Sequence, residues 1–167
     1  ALGGNSGNPI FDWFIGRELN PRIGEFDIKT FNELRPGLIL WALLDISCVC
    51  HQYTKFGWVS DSIVLVTLFH IWYIVDSLIN ESTILTQMDI TTDGFGFMLS
   101  VGDLAWLPFT YCLQARFLAF HPIHLGWLGV LAILAVQFTG YYIFRVANLE
   151  KNEFRHGRNP KGTYTVR

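Results

Sequence analysis

Charge is scarce in this sequence. Only 16% of its 167 residues are Asp, Glu, Lys or Arg, against 51% apolar, where soluble domains carry about 25% charged residues. With a mean hydropathy of +0.32, the chain lies toward the membrane end of the composition range. Cysteine is nearly absent: Cys48, Cys50 and Cys112 all lie within apolar runs. An odd count without metal-ligand spacing argues against a disulfide framework and for ordinary packed thiols. There is no internal repeat, which counts against a transporter, because many transporters are built from inverted repeats. No low-complexity segment occurs, and no nucleic-acid partner is expected through this segment.

Aromatic residues are abundant, at 16% with six Trp, as suits interfacial belts in a bilayer. Four apolar segments stand near 38–54, 59–79, 95–120 and 125–145. The last is the clearest, because Leu125–Phe144 carries no charge over about the 20 residues needed to cross a hydrocarbon core. The first is the weakest. Leu38–Cys50 contains Asp45 and at 1.5 Å per residue covers roughly 20 Å, so it needs its flanks to span. The expected fold is all-α, a polytopic membrane helix bundle with about four spans here, belonging to one membrane domain. Residues 1–36 read as a cytosolic or interfacial segment, 37–145 as the spans and 146–167 as a cytosolic basic segment. A start at "ALGGNSGNP" and an end at "KGTYTVR" read as those of an internal piece of a longer polypeptide.

Basic residues set the expected topology. Arg17, Arg22, Lys29 and Arg35 precede the spans. Arg145, Lys151, Arg155, Arg158, Lys161 and Arg167 follow them. Basic excess marks the cytoplasmic side, so both ends face the cytosol. The acidic loop at 80–93, with Glu81, Asp89 and Asp93, shares that side without weakening the assignment, since acidic residues count little.

Polar residues inside the spans are the candidates for function. Carboxylates are costly to remove from water without partners, yet Asp103 falls in the third span. On a helical wheel Asp103, Trp106, Thr110 and Gln114 are spaced 3, 4 and 4, forming one stripe. In the second span His70, Tyr73 and Asp76 form a broader polar face. Such residues face a bundle interior or a wet cavity, or serve as hydrogen-bond partners between helices. Together they point to an internal pocket, with Tyr73, Trp106, Thr110 and Gln114 as candidate lining and Asp103 and Asp76 as candidate catalytic acids. In the tail "RVANLEKNEFRHGRNPKG", a helix continuing past Arg145 would put Asn148, Lys151 and Arg155 on one face. A Lys/Arg pair one turn apart can clamp a phosphate; it can equally be a basic cluster attracted to anionic lipid.

Several stretches then converge. "GNPIFDWFIGRELNPRIGEFDIKTFNELRPG", "MDITTDGFGFMLSVGDLAWLPFTYCLQARFLAFHP" and "GYYIFRVANLEKNEFR" resemble the sterol reductases that use NADPH to reduce sterol double bonds. "DGFGFMLSVGD" with "FDIKTFNELRPG" is most similar to the Δ14-sterol reductases, a group that includes the sterol-reductase domain of the lamin B receptor. One departure is Phe11 before Asp12, where the family usually has Tyr or His. The resemblance implies a multi-pass enzyme of the endoplasmic-reticulum membrane, or the nuclear envelope, with about ten spans, of which this is the middle. It implies that Lys151 and Arg155 contact NADPH phosphates. It also places the remaining cofactor and proton-donor residues in a C-terminal region that this sequence does not contain, leaving the piece catalytically incomplete. The implied reaction is reduction of a sterol C14=C15 bond by protonation plus hydride transfer in a dry site. Alternatives are a reductase of another sterol bond, Δ7 or Δ24(28), and a non-catalytic sterol-binding or membrane-scaffold protein of the same fold. The expected partners are a sterol and the lipid bilayer.

Overall fold

The computed structural model describes residues 4–85 and 87–157. It divides into two compact units between Ile123 and His124, and each is described by itself. Arg158, Lys161 and Arg167 of the basic tail lie outside the described residues.

The first unit opens with α1 (Pro9–Ile15). The Asn8 side chain accepts from the amides of Ile10 (3.1 Å) and Phe11 (3.3 Å), and Pro9 sits at the first helical position, where its missing N–H costs nothing. A two-residue-per-strand hairpin follows, β1 (Arg22–Ile23) against β2 (Phe26–Asp27), turning through Gly24 at φ +63°. Asp27 then caps α2 (Ile28–Asn32) by accepting from the Thr30 amide at 2.9 Å. The helix does not stop there. A π turn, Glu33–Gly37, carries Pro36, whose ring removes a backbone donor and crowds the preceding turn, and α3 (Leu38–Phe56) continues directly. Ile28–Phe56 is thus a helix of 29 residues, about 43 Å long. The short first span expected from Leu38 gains its missing length from residues 28–37, of which sequence alone placed 28–36 in the interfacial segment.

α4 (Asp61–Ile79) is the second long apolar helix. After α5 (Glu81–Ile84) and α6 (Met88–Thr91), the third expected span appears as a series of pieces. These are α7 (Phe97–Val101), a second π turn (Gly102–Trp106), α8 (Leu107–Tyr111) and α9 (Leu113–Phe120). Pro108 lies just past the π turn, and no one of these pieces is itself long enough to cross a membrane. The second unit contains α10 (Gly126–Arg155), a 30-residue helix. Among the described residues, three helices have the length and apolarity for a crossing: Ile28–Phe56, Asp61–Ile79 and α10. The protein is an all-α membrane bundle.

The first unit packs α3 against α4, α8 and α9. Leu34, Leu38, Trp41, Ile74 and Cys112 form its buried apolar core. Ala115 and Ala119, one turn apart on α9, are fully buried; small side chains let helices approach closely in a membrane. At one end Gln52 ties three segments together: its Nε2 donates to the Leu118 carbonyl (2.7 Å) and its Oε1 accepts from the Ser60 amide (2.7 Å). The two π turns also touch. A β-carbon at Gly37 would lie 2.6 Å from the Asp103 carbonyl oxygen, so only glycine fits there without a shift.

Candidate functional site

A cavity of about 510 Å³ opens between α3, α4 and α8, bounded by Leu38, Trp41, His70, Tyr73, Leu107, Tyr111 and Gln114. That size is within the range of small-ligand sites, which are largely apolar with few polar groups. The Trp41 ring is its hub, with ring centroids at 4.6 Å from His70, 5.0 Å from Tyr111 and 5.9 Å from Tyr73. Behind it lies a pair that sequence reading did not join. Asp45, wholly buried on α3, has Oδ2 2.7 Å from Nδ1 of His70 on α4. Its Oδ1 is buried without a hydrogen-bond partner. The signal available in sequence was an ionisable residue in each of two consecutive spans, since such residues pair with one another in membranes.

Of the four expected lining residues, the cavity takes Tyr73 and Gln114 and leaves Trp106 and Thr110 outside. The Trp106 side chain is 67% exposed, and the Thr110 hydroxyl donates back to the Trp106 carbonyl at 2.6 Å. The wheel assumed 3.6 residues per turn, and the π turn at Gly102–Trp106 inserts extra chain. The buried face consequently runs through Asp103, Pro108, Cys112, Ala115 and Ala119, with a first step of five. Asp103 is buried, with Oδ2 lacking a hydrogen-bond partner, but it does not line the cavity. Asp76, near the end of α4, accepts from the Asn80 side-chain amide at 3.1 Å and is not among the cavity residues.

Asp89 and Asp93 contribute through their backbones. Lys29 is fully buried, and its Nζ donates to the carbonyls of Leu19 (3.3 Å), Ile90 (3.1 Å), Asp93 (2.7 Å) and Asp89. A buried ammonium needs such a shell, and this one joins the N-terminal segment to the loop before α7. A second junction lies beside it. Gly16, at φ +94°, packs so closely on Phe95 and Gly96 that a β-carbon would run into their backbone. There Trp13 stacks on Phe97 (4.5 Å), and Asp12 accepts from the Ser6 hydroxyl (2.7 Å) and amide (2.8 Å) with Arg17 at 3.6 Å. The Ser6 hydrogen bonds, helped by Arg17 and opposed by burial, hold the Asp12 carboxyl below the usual range.

In the second unit α10 does continue past Arg145 to Arg155, which sets Asn148, Lys151 and Arg155 at helical spacing on one face. The Asn148 side chain donates to the Phe144 carbonyl at 2.9 Å. Lys151 is half-buried and Arg155 exposed. Two cations one turn apart at an accessible helix end have the donor chemistry for a phosphate, so these residues fit the phosphates of a dinucleotide.

A family model described as the ergosterol biosynthesis ERG4/ERG24 family matches residues 1–166. The chain is 67% identical over 160 residues to a Delta(14)-sterol reductase of Schizosaccharomyces pombe, covering 95% of this chain and 38% of that protein. It is 57% identical over 169 residues to a Delta(14)-sterol reductase of Saccharomyces cerevisiae, covering 100% and 39%. For that of Candida albicans the figures are 56% over 162 residues, 96% and 36%. The chain thus spans well under half the length of the curated relatives it matches.

Proposed function

The chain belongs to the ergosterol biosynthesis ERG4/ERG24 family, and from that premise we propose that the full polypeptide is an NADPH-dependent Δ14-sterol reductase of the endoplasmic-reticulum membrane. The observation that carries this reading is the 67% identity to a protein named for that activity. The apolar cavity between α3, α4 and α8 supports it, with a size and an aromatic lining suited to a sterol ring system. In this reading residues 1–36 and the chain after Arg145 face the cytosol, where NADPH is available, and Lys151 and Arg155 hold its phosphates. The reduced nicotinamide, when bound, supplies hydride.

The rest of the chemistry belongs to the chain. An alkene is a poor hydride acceptor, so it must first gain a proton, in a site that excludes water and tolerates a transient cation. Trp41, Tyr73 and Tyr111 present aromatic rings around the cavity, and aromatic faces attract cations. Tyr73 and Gln114 position the substrate. Trp106 and Thr110 act from outside the cavity wall, by keeping the π turn and α8 in register. Asp103 supports the same wall from behind, beside Gly37, and Asp76 anchors the end of α4 through Asn80.

The test is to supply the full polypeptide, in membranes, with a sterol 8,14-diene and either NADPH or NADH. Loss of the C14=C15 bond with preference for NADPH is expected. Reduction of a Δ7 or Δ24(28) bond instead, or binding without reduction, would overturn the assignment.

A further inference from the structure

We propose that Nε2 of His70 and the side-chain amide of Gln114 together bind the 3-hydroxyl of the sterol, and so fix which end of the ring system enters this cavity. The proposal rests on the reductase reading above and deepens it, from the class of substrate to the groups that recognise it.

Five cavity side chains carry hydrogen-bonding groups: Trp41, His70, Tyr73, Tyr111 and Gln114. They differ in what already occupies them. The Trp41 Nε1–H is buried, closed off from a ligand, and the Tyr73 hydroxyl faces Ser77 one turn along its own helix. His70 is held on one edge by Asp45, with Oδ2 2.7 Å from Nδ1, and on one face by the Trp41 ring at 4.6 Å. A carboxylate on one imidazole nitrogen fixes the ring's orientation and leaves the other nitrogen to act. Among the described residues Nε2 has no partner, and neither has the Gln114 amide. These two groups come from α4 and α9, which pack on one another.

A hydroxyl both donates and accepts. It can donate to a bare Nε2 while accepting from the Gln114 amide nitrogen, or accept from an Nε2–H while donating to the amide oxygen. Recognition therefore does not depend on the charge of the imidazole. An unpaired hydroxyl is costly to bury in an apolar cavity, and a site with polar groups aimed at a hydroxyl rejects the analogue that lacks one, because its own groups are then left unpaired. Asp45 acts through His70 and is a positioning residue. In a sterol the 3-hydroxyl and the C14=C15 bond lie at opposite ends of the fused rings. Gripping the hydroxyl here directs the alkene away from the Asp45–His70 pair and leaves it to the cofactor and proton donor that the resemblance places outside this sequence.

The experiment uses the full polypeptide reconstituted in lipid, with equilibrium binding of a sterol 8,14-diene and of its 3-deoxy counterpart measured side by side. Wild type should bind the 3-hydroxy sterol about ten- to a hundredfold more tightly, the effect of a hydrogen-bonded hydroxyl. Gln114→Leu and His70→Asn should each cut that preference about fivefold or more, with 3-deoxy binding within about twofold of wild type. The asparagine keeps an amide for Asp45 where Nδ1 was and has no atom at the place of Nε2. Asp45→Asn should lower the preference by a smaller factor, and an unmoved preference would remove its positioning role. Tyr111→Phe should retain the preference; its loss there would give the hydroxyl to the phenol and overturn the proposal. Equal binding of the two sterols by wild type would overturn it as well, as would a preference unmoved in Gln114→Leu and His70→Asn. Equal weakening of both sterols in both variants would show side chains that only hold the cavity wall, which also overturns it. NADPH-dependent loss of the C14=C15 bond in the same wild-type preparation tests the reductase reading separately. A wild type that discriminates the 3-hydroxyl yet leaves the diene unreduced would refute that reading and not the hydroxyl site.

Discussion

Lys29 lies wholly buried at the start of the first long helix, whereas Lys151 lies half-buried near the end of α10. Four backbone carbonyls surround the first. The second has no hydrogen bond or ion pair among the described residues, and neither does Arg155 one turn later. The unit up to Ile123 uses its charges to hold segments together: buried Lys29 joins residues 19 and 89–93, half-exposed Arg35 grips Glu81 with its two terminal guanidinium nitrogens (3.1 and 3.4 Å), and buried Asp45 joins α3 to α4. In α10 no residue is buried, and in the proposed reading its terminal cations hold a ligand. On that reading the cationic residues divide into those consumed by the fold and those proposed for binding, with burial and saturated partners marking the first kind.

The largest effect is expected where a consumed charge is removed. Lys29→Met deletes the donor to four carbonyls at once. Each unsatisfied buried acceptor costs about 1–3 kcal/mol. These costs do not add fully, and a total on the order of 4 kcal/mol is expected, against about 5–15 kcal/mol for a typical domain. The variant should be recovered from membranes in much lower folded yield, with a depressed midpoint in a thermal aggregation assay. A wild-type midpoint would mean that the carbonyl shell does not organise this region.

Removing a kept charge should act on binding instead of folding. Each charge-assisted contact to a phosphate is worth about 1.5–3 kcal/mol, so Lys151→Ala or Arg155→Ala should weaken NADPH binding by roughly ten- to a hundredfold. Thermal midpoint and sterol affinity should stay as in wild type. Arg155→Lys should also be damaging if the guanidinium grips bidentately. If the pair serves anionic lipid, NADPH dependence will not move and activity will respond to lipid composition, which would erase the proposed contrast with Lys29.

What could be read from the sequence follows the same division. Four apolar runs and their basic flanks are local patterns, and the helical character of all four regions was legible, as was the family, through long motifs such as "DGFGFMLSVGD". The Lys29 shell was not, because backbone carbonyls some sixty positions away leave no signature in residue type. Asp45 and His70 were each visible as polar residues in apolar runs, but nothing in one sequence says which facing helix a side chain meets. The expected stripe from Asp103 to Gln114 failed for a geometric reason. A π turn shifts every later position around the helix axis, so Trp106 points outward and Pro108 inward. Gly102 opens that turn and Pro108 follows it, and Pro36 and Gly37 lie in the other; such Gly/Pro punctuation was the available warning against a uniform wheel.

The two π turns offer a smaller test within the fold-holding unit. Gly37→Ala forces a β-carbon against the Asp103 carbonyl and should cost about 1–2 kcal/mol, typical of overpacking. At Gly102 the space for a β-carbon is open, so Gly102→Ala should be neutral or stabilise by up to about 1 kcal/mol through helix propensity. Thermal midpoints of the two variants in the same detergent decide the matter. Equal destabilisation would mean that the turns are held apart and the Gly37 contact is not a constraint.

The smallest effect concerns a buried charge consumed by the fold, Asp12. Its carboxyl is held below the ordinary aspartate value chiefly by the Ser6 hydroxyl and amide, with Arg17 adding to them. A group whose folded value is depressed contributes stability above its unfolded value, about 3.9 for aspartate, and loses it as the pH falls through the folded value. The junction of α1 with Phe95–Phe97 should therefore be fully formed at neutral pH and loosen only in acid, below about pH 4. Ser6→Ala removes the side-chain hydrogen bond while leaving the amide. It should weaken the junction already at pH 7, where the carboxylate's contribution is fully present, and raise the pH at which loosening begins. Hydrogen exchange of the α1 amides, followed from pH 6 down to pH 3 with rates corrected for their intrinsic pH dependence, reads this directly. The same acid onset in wild type and Ser6→Ala would show that the Asp12 carboxylate is a bystander at this junction, and that the glycine contact and the Trp13–Phe97 stack hold it alone.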